Sequence, residues 1–282
     1  MGTSTFMKKL SIATFGAAAM TLGTGEVAKA GLNFISTDAG EVGVINTSTG
    51  GFTEVARGRF MFDLALSSDN KLFASDSSNL VGINPALGTF STIGSFGAFI
   101  NGLGFGSNNS LYGTGSSGFY GVNTLTGAAS LIANIAGFSS SGDIAYDVAN
   151  NRFLATSGLA TSGGDSLWSI ALNGSGAKIG NIGFSKVYGL LFDQGTLYGY
   201  AGKQQIAINT ATGAGTFSKN VAGVNGSIGG AASAQLTDPF TPVPEPATVL
   251  GSLLGMGALG SVRSRHKSQR QQKQQAGALN QS

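Results

Sequence analysis

Asp63 and Asp143 are the residues of this sequence best placed to do chemistry. Each opens a short apolar run, Asp63-Leu64-Ala65-Leu66 and Asp143-Ile144-Ala145-Tyr146. Two facing carboxylates could divide the acid and base roles of glycoside hydrolysis. Alternatively, each aspartate caps its strand or hydrogen-bonds a neighbouring unit. The matching positions elsewhere are Gly102, Gly189 and Ser227, so no ring of acids is expected. Calcium could bind at this pair or at Asp165, but no Asp-x-Asp-x-Asp-Gly loop exists to support such a site.

Other chemistry is scarce. The only histidine is His266, close to the C-terminus, and there is no cysteine. Ser-His-Asp and Cys-His nucleophiles are therefore unavailable to the body, as are imidazole or thiolate metal sites. The stretch Gly102-Leu103-Gly104-Phe105-Gly106 superficially matches a phosphate loop. It leads into a hairpin instead of a helix, so no helix N-terminus is present to hold an anion. No cofactor and no metal is expected. Trp168 and Tyr120 share one repeat position with Gly43, Val81 and Ile206. An aromatic there could stack on a sugar ring, but its apolar counterparts favour packing between repeats.

The elements that position these residues are repeated strands. An apolar strand running into a polar turn recurs as Val44-Ile45-Asn46-Thr47-Ser48-Thr49-Gly50, Gly82-Ile83-Asn84-Pro85-Ala86-Leu87-Gly88 and Gly121-Val122-Asn123-Thr124-Leu125-Thr126-Gly127. It returns loosely at Ser169–Gly174 and again at Ala207-Ile208-Asn209-Thr210-Ala211-Thr212-Gly213. The anchors 45, 83, 122, 170 and 208 lie 38, 39, 48 and 38 residues apart. Asn and Gly suit turns that need side-chain capping and a positive φ. Between these lines run hairpins such as Asp63–Leu66 with Lys71–Ala74, and Asp143–Tyr146 with Arg152–Ala155.

About forty residues carrying four short strands make a β-propeller blade. Residues 60–98, 100–138, 141–184 and 187–225 are complete units. Residues 31–58 lack a first strand, which Ser227–Ala232 would supply. The expectation is an all-β, five-bladed propeller over 31–236, closed by pairing its two chain ends and leaving no open sheet edge. A β-solenoid is the competing architecture.

The ends of the chain direct its handling. Lys8 and Lys9 precede the apolar stretch Leu10–Leu22, and Ala28-Lys29-Ala30 offers signal peptidase a small-x-small site. Residues 1–30 are thus expected to be a secretory signal helix. Residues 237–246 form a Pro-rich linker ending in Val243-Pro244-Glu245-Pro246. A weakly apolar run follows over 247–262, about 24 Å long as a helix against a bilayer core of ~30 Å. Arg263, Arg265 and Lys267 then form a cytoplasmic stop, opening a basic, Gln-rich tail over 263–282. Taken alone, the apolar run could be an ordinary tail anchor.

This order of motifs resembles the PEP-CTERM sorting signal of exported proteins in Gram-negative bacteria. The resemblance implies recognition of Pro244-Glu245-Pro246 by an exosortase, a membrane cysteine protease that removes the short transmembrane helix. It also implies delivery to the cell surface or extracellular polysaccharide matrix. The blade repeats loosely resemble propeller-like lectin and quinoprotein-type repeats.

Charge agrees with export better than with nucleic acid. Between 31 and 242 there are eight Lys and Arg against eleven Asp and Glu, a net charge of −3. The surplus of positive charge lies at the two ends, so no nucleic-acid partner is expected. Two function classes remain: a non-enzymatic structural or binding propeller on the extracellular polysaccharide, or a carboxylate-dependent glycoside hydrolase or lyase acting on it.

Overall fold

The computed structural model describes residues 33–158 and 164–233. The expected signal helix, PEP linker, sorting helix and basic tail lie outside the described residues.

Turn chemistry sets the repeat. In four blades an Asn side-chain oxygen caps two backbone amides of the following turn. Asn46 Oδ1 accepts from Ser48 at 3.0 Å and Thr49 at 2.9 Å. Asn84, Asn123 and Asn209 repeat the arrangement. The glycine that closes each turn has a positive φ, 77° at Gly50 and 78° at Gly127, which a β-carbon would strain.

Each of those turns joins the last two strands of a blade, and the strands form five antiparallel four-stranded sheets. The second blade contains β4 (Asp63–Leu66), β5 (Leu72–Ser75), β6 (Ser77–Asn84) and β7 (Thr89–Ile100). The third contains β8 (Gly102–Phe105), β9 (Leu111–Gly115), β10 (Gly118–Val122) and β11 (Ala129–Asn134). In the fourth are β12 (Ser140–Asp147), β13 (Arg152–Ser157), β14 (Ser166–Ala171) and β15 (Gly176–Asn181). The fifth holds β16 (Val187–Asp193), β17 (Thr196–Ala201), β18 (Gln204–Ile208) and β19 (Gly215–Asn220). The first blade takes β1 (Asn33–Thr37), β2 (Glu41–Asn46) and β3 (Gly51–Arg57) from one chain end and β20 (Ile228–Ser233) from the other. This is a five-bladed propeller closed between its termini, not a solenoid.

Period-2 alternation distributes the core. Five apolar clusters fill the five interfaces between blades. In β4, Leu64 and Leu66 face the first blade while Ala65 faces the third. In β20, Ala231 faces the fifth blade and Ala232 the second. The axial strands are therefore buried on both faces, and all but β8 contribute side chains to two cores at once. β8 gives Leu103 and Phe105 to one core and presents Gly102 and Gly104 on its other face. Phe153, wholly buried among Phe119, Tyr112 and Tyr146, anchors the interface between the third and fourth blades.

A second regularity was not anticipated. Every blade has a bulge where its third strand meets its outermost one, at Val42/Gly43, Leu80/Val81, Phe119/Tyr120, Leu167/Trp168 and Gln205/Ile206. One extra residue on each rim strand increases local twist and spoils a flat pairing edge. Next to the bulge, size is balanced across strands: Ala74 pairs Val81, Gly113 pairs Tyr120, Ala155 pairs Trp168 and Gly199 pairs Ile206. In the first blade the order is reversed, with Ile35 opposite Gly43.

Candidate functional site

The five axial strands β4, β8, β12, β16 and β20 stand side by side with little room between them. A β-carbon on Gly102 would lie 2.4 Å from the Gly142 carbonyl oxygen, and one on Gly230 would lie 2.4 Å from Asp63 Cα. Glycine at these points lets the backbones close around the axis. In a propeller the inward edge of an axial strand has no further strand to pair with, so its amides need other acceptors.

Asp63 and Asp143 supply them. Asp63 Oδ1 accepts from Leu64 N at 2.7 Å and Ala231 N at 3.3 Å, and its Oδ2 accepts from Leu103 N at 2.6 Å. Asp143 Oδ2 accepts from Leu190 N at 2.6 Å and Ala231 N at 3.0 Å. Amides from four of the five axial strands thus converge on two carboxyl groups. Both side chains are 0% exposed. Burial pushes both well above the usual carboxylate range, and the neighbouring Asp63 charge raises Asp143 further.

The pair expected from sequence is therefore brought together, but in a sealed position. The two groups are in hydrogen-bond contact and share one amide. The carboxylate separations used for glycoside hydrolysis, ~5 Å or more, leave room for the sugar between the groups. Here no sugar can enter. The hydrogen bonds match the alternative reading: Asp63 bonds its own strand and neighbouring ones, and Asp143 bonds strands of other blades.

One equivalence changes. The fifth member of the Asp63 column is Gly230, not Ser227. Ala231 N sits with Leu64 N, Leu103 N and Leu190 N, one residue beyond that column. Ser227 precedes β20, and its amide donates to Asp38 Oδ1 at 2.8 Å.

Asp165 is nearly buried and accepts from Val187 N at 2.9 Å, with burial raising it. It forms no group with two other His, Cys, Asp or Glu residues that could hold a metal ion among the described residues. Trp168 is only 7% exposed and packs on Phe138, while Tyr120 packs against the core between the second and third blades. Both belong to interfaces between blades, as the apolar residues in their column suggested.

The accessible chemistry lies at the mouth of the axis, where the loops enter the axial strands. Phe60 and Phe62 have ring centroids 4.7 Å apart, and Phe62 and Phe99 are 6.1 Å apart. Phe99 is 48% exposed. The Phe60 ring covers Gly229, where a β-carbon would fall 2.8 Å from it. Asn101, two residues after Phe99, donates through Nδ2 to Ser140 O at 3.2 Å, while its Oδ1 receives no hydrogen bond. Sequence reasoning did not identify this cluster. The only hint was Phe60-Met61-Phe62 placed immediately before Asp63.

No protein-family model and no curated protein matches the chain. Among solved structures, one chain of the crystal structure of a nidogen/laminin complex aligns with a TM-score of 0.54 at 11% identity, over 74% of this chain and 99% of that chain. A gluconolactonase from Xanthomonas campestris aligns with a TM-score of 0.41 at 10% identity, over 70% of this chain and 89% of that one. The first likeness is one of fold alone, and the second carries no argument.

Proposed function

We propose that this chain is an exported, non-enzymatic propeller that binds extracellular polysaccharide through the mouth of its axis. The observation behind this reading is the contrast at that mouth. Phe60, Phe62 and Phe99 form a partly exposed aromatic platform, with buried Asn101 bonded to half-buried, neutral Ser140, while the carboxylates able to hydrolyse a glycan are wholly buried. Aromatic faces present a negative quadrupole to the weakly positive C–H bonds of a sugar ring, and a neutral polar rim suits its hydroxyls. The lyase or hydrolase alternative would need the axial strands to separate before substrate could reach Asp63 and Asp143.

Export rests on the signal sequence and on the Pro244-Glu245-Pro246 sorting pattern. An exosortase and signal peptidase would be its processing partners, with transient membrane contact through 247–262. Retention on polysaccharide from the producing cell tests the binding site. Phe62→Ala with Phe99→Ala should weaken retention about tenfold, or ~1.4 kcal/mol, without changing the unfolding midpoint. Equal retention, or turnover of the polysaccharide that Asp143→Asn abolishes, would reject the reading. Replacing Pro244-Glu245-Pro246 with alanines should leave an uncleaved, membrane-retained precursor, and normal release would count against sorting.

A further inference from the structure

Asp143 Oδ1 is a buried oxygen that receives no hydrogen bond, although its carboxyl touches that of Asp63. Every other oxygen of the pair accepts at least one amide. Two charged carboxylates in such contact, away from water, would repel strongly with only backbone amides to offset them. No lysine, arginine or histidine lies on any of the five axial strands. The other titratable groups on those strands are acidic or phenolic, and Lys186 immediately precedes β16. Tyr188 stands one residue before Gly189, and Asp165 borders the start of β16. Asp147 and Asp193 end β12 and β16, with Tyr146 beside the former.

We propose that a single proton, carried on Asp143 Oδ1 and donated to Asp63, latches the C-terminal strand β20 into the ring. The arrangement is asymmetric. With Oδ1 protonated, Asp143 donates to Asp63 and keeps Oδ2 free to accept from Leu190 and Ala231. Asp63 remains the charged partner, accepting that proton's hydrogen bond together with three amides. Ala231 N, the one contact β20 makes with both carboxyls, depends on the pair staying together.

The direction of the pH effect follows. An acid held above its unfolded value, about 3.9 for Asp, adds stability that is complete below that value. This contribution is lost as pH rises through the native value. Urea unfolding of the full chain between about pH 5 and 8 reads it, because each proton retained only by the native state makes the unfolding constant rise tenfold per pH unit. Asp143→Asn places a permanent N–H donor where the proton sits. It should keep wild-type stability at neutral pH and flatten the slope by one proton. Asp63→Asn must turn an amino group toward Leu64 and Ala231 or toward Leu103, and should lose at least tenfold in the folding constant at pH 7. Amide exchange in β20 should accelerate between pH 6 and 8 in wild type relative to Asp143→Asn. Infrared difference spectra should show a protonated-carboxyl band in wild type at pH 7 that Asp143→Asn lacks. The proposal is overturned by equal slopes in wild type and Asp143→Asn, by equal losses in the two variants, or by absence of that band.

Discussion

Glu41 at the seam and the Asp63–Asp143 pair on the axis are all withdrawn from water, yet Glu41 is shifted toward losing its proton and the pair toward keeping one. Burial alone would raise Glu41 too. Instead the Asn225 amide at 2.9 Å, the Thr37 hydroxyl at 2.8 Å and the Asn225 side chain hold it down at about 2. Arg57 adds an ion pair at 3.0 Å from a half-exposed position. The axial pair has as many amides but no cation, and its second charge faces the first. Burial therefore does not decide ionisation by itself. What decides it is whether the donors that come with burial outnumber the charges they must satisfy.

The comparison can be broken first at the seam. Glu41→Gln should cost about 3 kcal/mol at neutral pH, since it removes a charge with at least three donors and leaves a mismatched amide in their place. Chemical denaturation at pH 7 checks this. In wild type the Glu41 contribution is present above its unfolded value near 4.5 and lost as pH falls toward 2. Glu41→Gln should therefore flatten the acid limb of the stability profile and leave the limb above pH 5 unchanged. A change in the upper limb would mean the two sites are coupled. The smallest effect is expected from Arg57→Ala, a loss well below that of Glu41→Gln, because an ion pair with one half-exposed member is screened by solvent. A loss as large as that of Glu41→Gln would show that the cation, rather than the amides, keeps Glu41 ionised.

Legibility in the sequence followed the range of the interactions. Blade number and strand order could be read because the Asn46-to-Gly50 turn and its repeats are local, with capping oxygen and positive φ inside five residues. Closure between the termini followed from counting strands. The fifth axial position was misplaced because β20 has no hairpin of its own to fix its register, and Gly229-Gly230 gives two neighbouring glycines no side chain can tell apart. The rim bulges were hidden as well. Val55, Ile93, Ile132 and Ile179 are extra residues of strand-forming type, indistinguishable from ordinary ladder members. Asp63 and Asp143 were recognisable as a pair, but their seclusion depends on glycines in other blades. The Phe60, Phe62 and Phe99 platform joins the entry and the last strand of the second blade, nearly forty residues apart, so only ring geometry assembles it.

Because β20 supplies the innermost strand of the first blade, order of synthesis matters. A chain that emerges from its N-terminus can complete blades two to five in succession, each from contiguous sequence. The first must wait with three strands until residue 233 arrives, nearly two hundred residues after β1. Joining ends that distant costs only slowly growing entropy, but it delays the final step and leaves β1 with an unsatisfied ladder in the meantime. During biogenesis this molecule is therefore most vulnerable to sticking to a neighbour along one five-residue edge, Asn33–Thr37.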